Sequence, residues 1–280
     1  MSKRPIIALD AGHGLKTAGK RCMRSIDPAE TREWWLNDRI ADQVQALLAG
    51  YDCTVIRADD TMGVKDIPLA SRVKTANSAR ADMYISIHHN AGINGGTGGG
   101  TVVYYYSRSA FRPLQANRLY NAVTARTGLF GNRSSKVIKN GFYVIKHTTM
   151  PALLIENGFM DSQVDTPIIL TPAHATRTAQ GIVDFLVSEL QLVSLSESAQ
   201  QPQTGGSTVP DSNPSVSTYY PAYTGPKTTL WAAMMALGLD SSYAHRKLIA
   251  KANNITGYIG KAAQNTQMYN LLVAGMLIKE

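Results

Sequence analysis

The sequence predicts an α/β fold, a mainly parallel twisted sheet flanked by helices, followed by a small all-α C-terminal domain. Three observations carry this expectation. Short apolar runs alternate with amphipathic helical patterns over the first two-thirds of the chain. Those runs are apolar at successive positions, as strands covered on both faces must be. A segment without Lys, Arg or aromatic residues, 193–217, then precedes a tail that shows only helical patterns.

Taken in order, residues 5–10 (PIIALD) read as a buried strand that stops at Gly12 and Gly14. Residues 33–48 place Trp34, Ile40, Val44, Leu47 and Leu48 at helical spacing. Residues 53–58 are short and β-branched, and 67–81 are helical in pattern. Residues 83–88 (MYISIH) and 101–107 (TVVYYYS) read as strands, and 110–127 as a helix. Residues 142–146 and 152–156 are two further strand candidates. Thr171 and Pro172 then open a helix to Leu192, with the cap residue before the proline.

The 280 residues suggest two domains. The boundaries expected are 1–192, a flexible linker over 193–217, and 218–280. The Ser, Gln, Pro, Gly and Thr of the linker cannot bury enough apolar surface to offset their ordering entropy. The net charge is +8, and it is shared: 22 basic against 16 acidic residues before the linker, 6 against 2 after it. Two basic folded parts point to a polyanionic neighbour such as nucleic acid, an anionic membrane or a cell wall. No helix-turn-helix, zinc-finger or aromatic RNA-binding signature supports the first. No run of about 20 apolar residues supports a membrane span. Two cysteines, Cys22 and Cys53, are too few for a disulfide framework or a Cys-only metal site.

In parallel sheets ligands gather at the carboxyl ends of the strands. The first strand ends at His13, the MYISIH strand at His88-His89-Asn90, and the ALLIE strand at Glu156. Glu33 opens the first helix near the same rim. Two imidazoles and a carboxylate are a frequent ligand set for catalytic zinc, and a second carboxylate can take the proton of the attacking water. The set expected is His13, Glu33 and His88 on the metal, with Glu156 as base. A buried carboxylate in LLIENGF needs a partner or a chemical role. His147 and His174 are expected to be structural. The Gly92–Gly100 run (GINGGTGGG) lacks the spacing of a phosphate loop and reads as a mobile loop at the rim.

The segments LDAGHG, ETREWWLNDRIA, LASRVKTANSARADMYISIHHNA and MPALLIENGFMDS resemble the zinc-dependent N-acetylmuramoyl-L-alanine amidases of the type-3 class, over residues 5–192. That resemblance implies cleavage of the amide between the lactyl group of N-acetylmuramic acid and the L-alanine of the stem peptide. It implies His13, Glu33 and His88 as zinc ligands and Glu156 as the catalytic carboxylate. Glu30 rivals Glu33, but only Glu33 lies four residues before Asn37. His89 rivals His88, and the motif favours His88, with His89 where a small residue is usual. Arg72 and Asn77 match an LxxR…AN helix and are expected to support the site.

The tail shows helical patterns over 229–237, 241–252 and 265–274. It is similar to short C-terminal cell-wall-binding modules of phage endolysins and autolysins. Its tyrosines and Trp231 are candidates for stacking on sugars, although Trp231 and Tyr269 are expected in the core. The partner implied is a peptidoglycan or cell-wall polymer. The absence of a signal peptide leads to the expectation of a phage endolysin, held in the host cytoplasm until a holin-type pore releases it. A zinc endopeptidase or a bacterial autolysin is the alternative.

Overall fold

A computed structural model describes residues 4–106, 111–195 and 219–279, except 226, 227, 238, 240, 242, 254, 257, 259 and 261. The chain divides into two compact units, Met1–Gln200 and Gln201–Glu280. Residues 196–217 of the expected linker lie outside the described residues. Its first three residues are bonded to the first unit: Asp52 N–H donates to Val193 O (2.8 Å) and Leu195 N–H to Gly50 O (2.9 Å). The bonded backbone of that unit therefore continues past residue 192.

The first unit is a six-stranded sheet between two helical layers. In chain order its elements are β1 (Ile6–Ala11), α1 (Glu33–Leu48), β2 (Thr54–Arg57), α2 (Leu69–Ser78), β3 (Met83–Asn90), β4 (Thr101–Tyr105) and α3 (Phe111–Thr127). These are followed by β5 (Val137–Lys139), α4 (Tyr143–His147), β6 (Ala152–Phe159), α5 (Asp165–Ile169) and α6 (Pro172–Leu190). The strand order is β2-β1-β3-β6-β4-β5. The first four positions run parallel, whereas β4 pairs antiparallel with β6 and parallel with β5. The sheet is thus mainly parallel, as expected.

Strand alternation divides the core. Ile7, Leu9, Ile85, Ile87, Leu153 and Ile155 face one way, onto Ile40 and Val44 of α1, Leu119 and Val123 of α3, and Ile182 and Phe185 of α6. Ala8, Tyr84, Ala152 and Leu154 face the other way, onto Val73 and Ala76 of α2 and Val144 and Ile145 of α4. The same alternation puts Asp10, Ser86, His88 and Glu156 on the α2 face and His89 on the α1 face.

Residues 142–146 are not a strand, as their β-branched residues led us to expect. They form most of the short helix α4. Tyr143 and His147 stack at i and i+4 (ring centroids 4.2 Å apart), and the Thr148 hydroxyl donates to Val144 O (2.9 Å). Tertiary burial of Val144 and Ile145 against α2 outweighs their strand propensity. The short elements β5 and α5 carry too few residues for a periodic pattern.

The second unit has helices α7 (Leu230–Ala236), α8 (Tyr243–Ala252) and α9 (Ala262–Val273). The Thr229 hydroxyl caps α7 by accepting from Ala232 N–H (3.2 Å). Leu230, Ala233 and Met234 point into a core shared with Ile249, Met268 and Leu272 and with Tyr220, Tyr223 and Tyr258. Tyr269 packs against that core, as expected. Trp231 does not: it is half-buried and outside the cluster, because it lies about 100° round the helix from Leu230. No helix among the described residues is long and apolar enough to cross a membrane.

Helices α3 and α6 approach closely at Gly181. A Cβ there would lie 2.6 Å from Val123 Cα and 2.8 Å from Ala122 O. Gly181→Ala improves helix propensity by about 1 kcal/mol, but overpacking against backbone costs about 1–3 kcal/mol. We expect the variant to be less stable in urea unfolding, against the direction that propensity alone gives.

Candidate metal centre

Three of the four expected site residues converge. The imidazoles of His13 and His88 and the carboxylate of Glu33 offer ligand atoms that all lie within 4.8 Å of one another. His13 Nε2 is 3.4 Å and His88 Nδ1 3.1 Å from Glu33 Oε1. Ligands at about 2.0–2.1 Å round a tetrahedral ion stand about 3.3 Å apart. The spacing therefore fits a small divalent cation.

The turn after β1 delivers His13. Gly12 N–H bonds to Ile87 O (3.0 Å), and a side chain at Gly12 would collide with the His88 ring. His13 itself has φ 67°, a left-handed conformation that costs a non-glycine residue about 1–3 kcal/mol. Arg72 holds the turn in place. It is 1% exposed, and its guanidinium pairs with Asp10 while donating to Ala11 O (2.8 Å) and His13 O (2.9 Å). Glu33 is set by the start of α1: its N–H donates to Lys20 O (3.0 Å), and the carboxylate is 1% exposed. Asn37, one turn on, donates to Gly12 O (3.1 Å).

His88 is oriented from behind. Its Nε2 faces Ser86 Oγ at 3.1 Å, and the Ser86 hydroxyl donates to Asp10 Oδ2 (2.8 Å). With its proton given to Asp10, Ser86 accepts from His88 Nε2–H. The lone pair is then on Nδ1, toward Glu33. Such carboxylate-linked partners fix the tautomer of metal-bound histidines. Tyr84 OH also donates to Asp10 (2.7 Å). Sequence reasoning did not find Asp10, Ser86 or Tyr84 as parts of the site; the signal was there in their alternate positions on adjacent strands.

The electrostatics match the same purpose. Burial would raise the Glu33 carboxyl, but His88, His13 and Lys20 outweigh it and bring it to about 2. Burial lowers His13 to about 4. An ionised carboxylate and a neutral imidazole are the forms that bind metal. Burial alone would neutralise His88, but Glu33, Glu156 and Asp10 raise its pKa. A metal ion would take the place of that proton. Glu33 Oε2 is buried with no hydrogen-bond partner among the described residues.

Glu156 is in register beside His88 on the neighbouring strand. It is half-buried, and its Oε2 is shielded without a partner. Burial pushes it up to about 7, against the pull of His88. His89 points the other way and bonds through Nδ1 to Asn37 Oδ1 (2.8 Å). Glu30 is outside the cluster and pairs with Arg21 and Arg24. His174 bonds to Asn157 O (3.2 Å), and Asn77 braces Thr149 and His147 away from the site. Both cysteines are buried and unpaired with each other.

The glycine loop is not the mobile loop expected. Asp161 Oδ2 accepts from three successive N–H groups, those of Gly92, Ile93 and Asn94 (2.8, 2.8 and 2.7 Å). Ser162 Oγ donates to Gly98 O, and Asp165 accepts from Gly100 N–H (both 2.6 Å). The turn after β6 thus ties down the loop after β3. Glycine composition suggested freedom, but the successive backbone amides of such a loop form a nest that binds a carboxylate.

The profile of the family Amidase_3, N-acetylmuramoyl-L-alanine amidase, matches residues 7–188. The chain belongs to this family. Among curated relatives, the N-acetylmuramoyl-L-alanine amidase LytC of Bacillus subtilis is 28% identical over 193 residues, covering 66% of this chain and 36% of LytC. The chain thus spans about a third of LytC. The endolysin of Bacillus phage SPP1 is 28% identical over 194 residues, 69% of this chain and 68% of the endolysin. Among solved structures, the catalytic domain of the amidase CwlV from Paenibacillus polymyxa superposes with a TM-score of 0.59 at 27% identity, over 67% of this chain and 98% of that one. An N-acetylmuramoyl-L-alanine amidase from Clostridium difficile gives 0.60 at 26% identity, over 68% and 98%.

Arg72→Met should leave Asp10 buried and unpaired, costing about 3–5 kcal/mol in urea unfolding. Metal affinity, measured by competition with a chromogenic chelator, should fall with it.

Proposed function

We propose that this amidase-family chain is a zinc-dependent peptidoglycan hydrolase that cleaves the amide between N-acetylmuramic acid and L-alanine. The observation that carries the reading is the convergence of His13, Glu33 and His88 beside an unpartnered Glu156, in a fold shared with amidases. Bound zinc would supply a Lewis acid that polarises the scissile carbonyl and acidifies water. His13, Glu33 and His88 would hold it through two neutral nitrogens and one carboxylate.

Glu156 acts as general base. A carboxylate near pKa 7 both accepts a proton from the attacking water and returns it to the departing nitrogen. The water oxygen bonds to the carbonyl carbon, and the C–N bond then breaks. L-alanine leaves with a free amine, and the lactyl group becomes a carboxylate.

We read the second unit as a cell-wall-binding module. It is basic, with six lysine and arginine residues against two acidic residues over 218–280. Linked to the hydrolase, it would hold the enzyme at the wall by effective concentration. We read the biological role as that of a phage endolysin, supported by the SPP1 endolysin match along two-thirds of that protein. A bacterial autolysin role is the second reading, supported by LytC.

Digestion of purified peptidoglycan, with mass analysis of the products, tests the activity. New N-terminal L-alanine is expected; cleavage between stem-peptide residues would instead show an endopeptidase. Dialysis against a chelator should abolish digestion, and zinc should restore it. Glu156→Gln should lose about 10²–10⁴-fold in rate while keeping its metal. His13→Ala should lose both rate and metal.

A further inference from the structure

Lys20 is not among the expected site residues, yet its ammonium stands at the metal centre. Nζ lies 3.7 Å from Glu33 Oε2, beyond hydrogen-bond range, and the side chain is 43% exposed. Among the described residues Nζ makes no hydrogen bond, so its three N–H donors are unused there. The backbone beneath it is fixed. Lys20 O accepts from Glu33 N–H (3.0 Å), Lys20 N–H donates to Thr17 O (3.4 Å), and Arg32 donates to Thr17 O. Arg21 and Arg32 form a bridge beside it. The side chain is therefore anchored at its root, and its tip is ion-paired with Glu33 at 3.7 Å with its N–H donors still open among the described residues.

Its charge lowers the pKa of His13, Glu33 and Glu156 together. The tip thus lies beside the ligand set, 3.7 Å from Glu33, and within electrostatic reach of Glu156. Hydrolysis of an amide moves negative charge from Glu156 onto the carbonyl oxygen. In the proposed mechanism His13, Glu33 and His88 are committed to the metal and Glu156 to the proton. Donors aimed at developing charge are worth about 10²–10³-fold in rate.

We propose that Lys20 is a further catalytic residue, whose ammonium donates a hydrogen bond to the carbonyl oxygen of the scissile amide as that oxygen becomes an oxyanion. The π pair of the C=O bond moves onto that oxygen, and Lys20 keeps its proton throughout. When the C–N bond breaks, the pair returns and the nitrogen takes its proton from Glu156. This assignment rests on the amidase reading.

The experiment compares wild type with Lys20→Met and Lys20→Arg on a soluble muramoyl-peptide. It measures kcat, KM, zinc affinity by chelator competition, and calorimetric binding of an analogue with a phosphinate in place of the scissile amide. For Lys20→Met we expect kcat to fall about 10²-fold, with analogue affinity falling alongside. KM and zinc affinity should stay within about threefold, and Lys20→Arg should recover part of the rate. Three results would overturn the assignment in an enzyme whose wild type cleaves the muramoyl–alanine bond: unchanged kcat and analogue affinity; a rate loss matched by lost zinc affinity, which makes Lys20 a support for Glu33 alone; or a rise in KM alone. A wild type that fails to cleave that bond would sink the amidase reading instead.

Discussion

The buried pair between Arg72 and Asp10 is the interaction on which the site depends. Neither side chain touches water to any extent, so each would be costly without the other. Each also bonds to the groups that shape the site. Arg72 ties the carbonyls of Ala11 and His13, which fixes a strained turn. Asp10 anchors Ser86, which aims His88. One ion pair thus sets the direction of both imidazoles. Burial would raise the Asp10 carboxyl, but Arg72, His88 and Tyr84 more than offset this and hold it below its usual range. Asp10 therefore remains an acceptor, which the Ser86 hydroxyl needs in order to accept in turn from His88.

The sheet explains why one of two adjacent histidines serves. Successive residues of a strand face opposite ways, so His88 and His89 cannot share a task. His88 meets Glu33 on the α2 face, while His89 meets Asn37 beneath α1. Asn37 then contacts Gly12, so the second histidine still supports the turn that presents His13. The histidine adds a bonded prop under α1.

Much of this was legible in the sequence because the candidate residues stand at strand ends. His13, His88 and Glu156 each follow a run of apolar residues, and Glu33 opens a helix. The supporting residues were harder to read. Asp10, Tyr84 and Ser86 sit inside strands, where a polar residue looks like an interruption until its partner on another element is known. Lys20 lies in a loop with no periodicity, and its relation to Glu33 is a tertiary fact. The 142–146 segment misled because five residues are too few for helical spacing to outweigh β-branching. The glycine loop misled because its fastener, Asp161, lies about 70 positions further along the chain.

The strand order β3-β6-β4 has a consequence for how the molecule comes to be. The strand that carries Glu156 is the last of the six to be made, yet it occupies the middle of the sheet. Without it, β3 and β4 have open edges, and neither Glu156 nor the Asp161 carboxylate that fastens the glycine loop is in place. Such long-range pairing is slow to form. His13, Glu33 and His88 all lie in the first half of the chain, whereas Glu156 arrives with the final strand. The four candidate residues are therefore brought together only when the last strand seals the sheet.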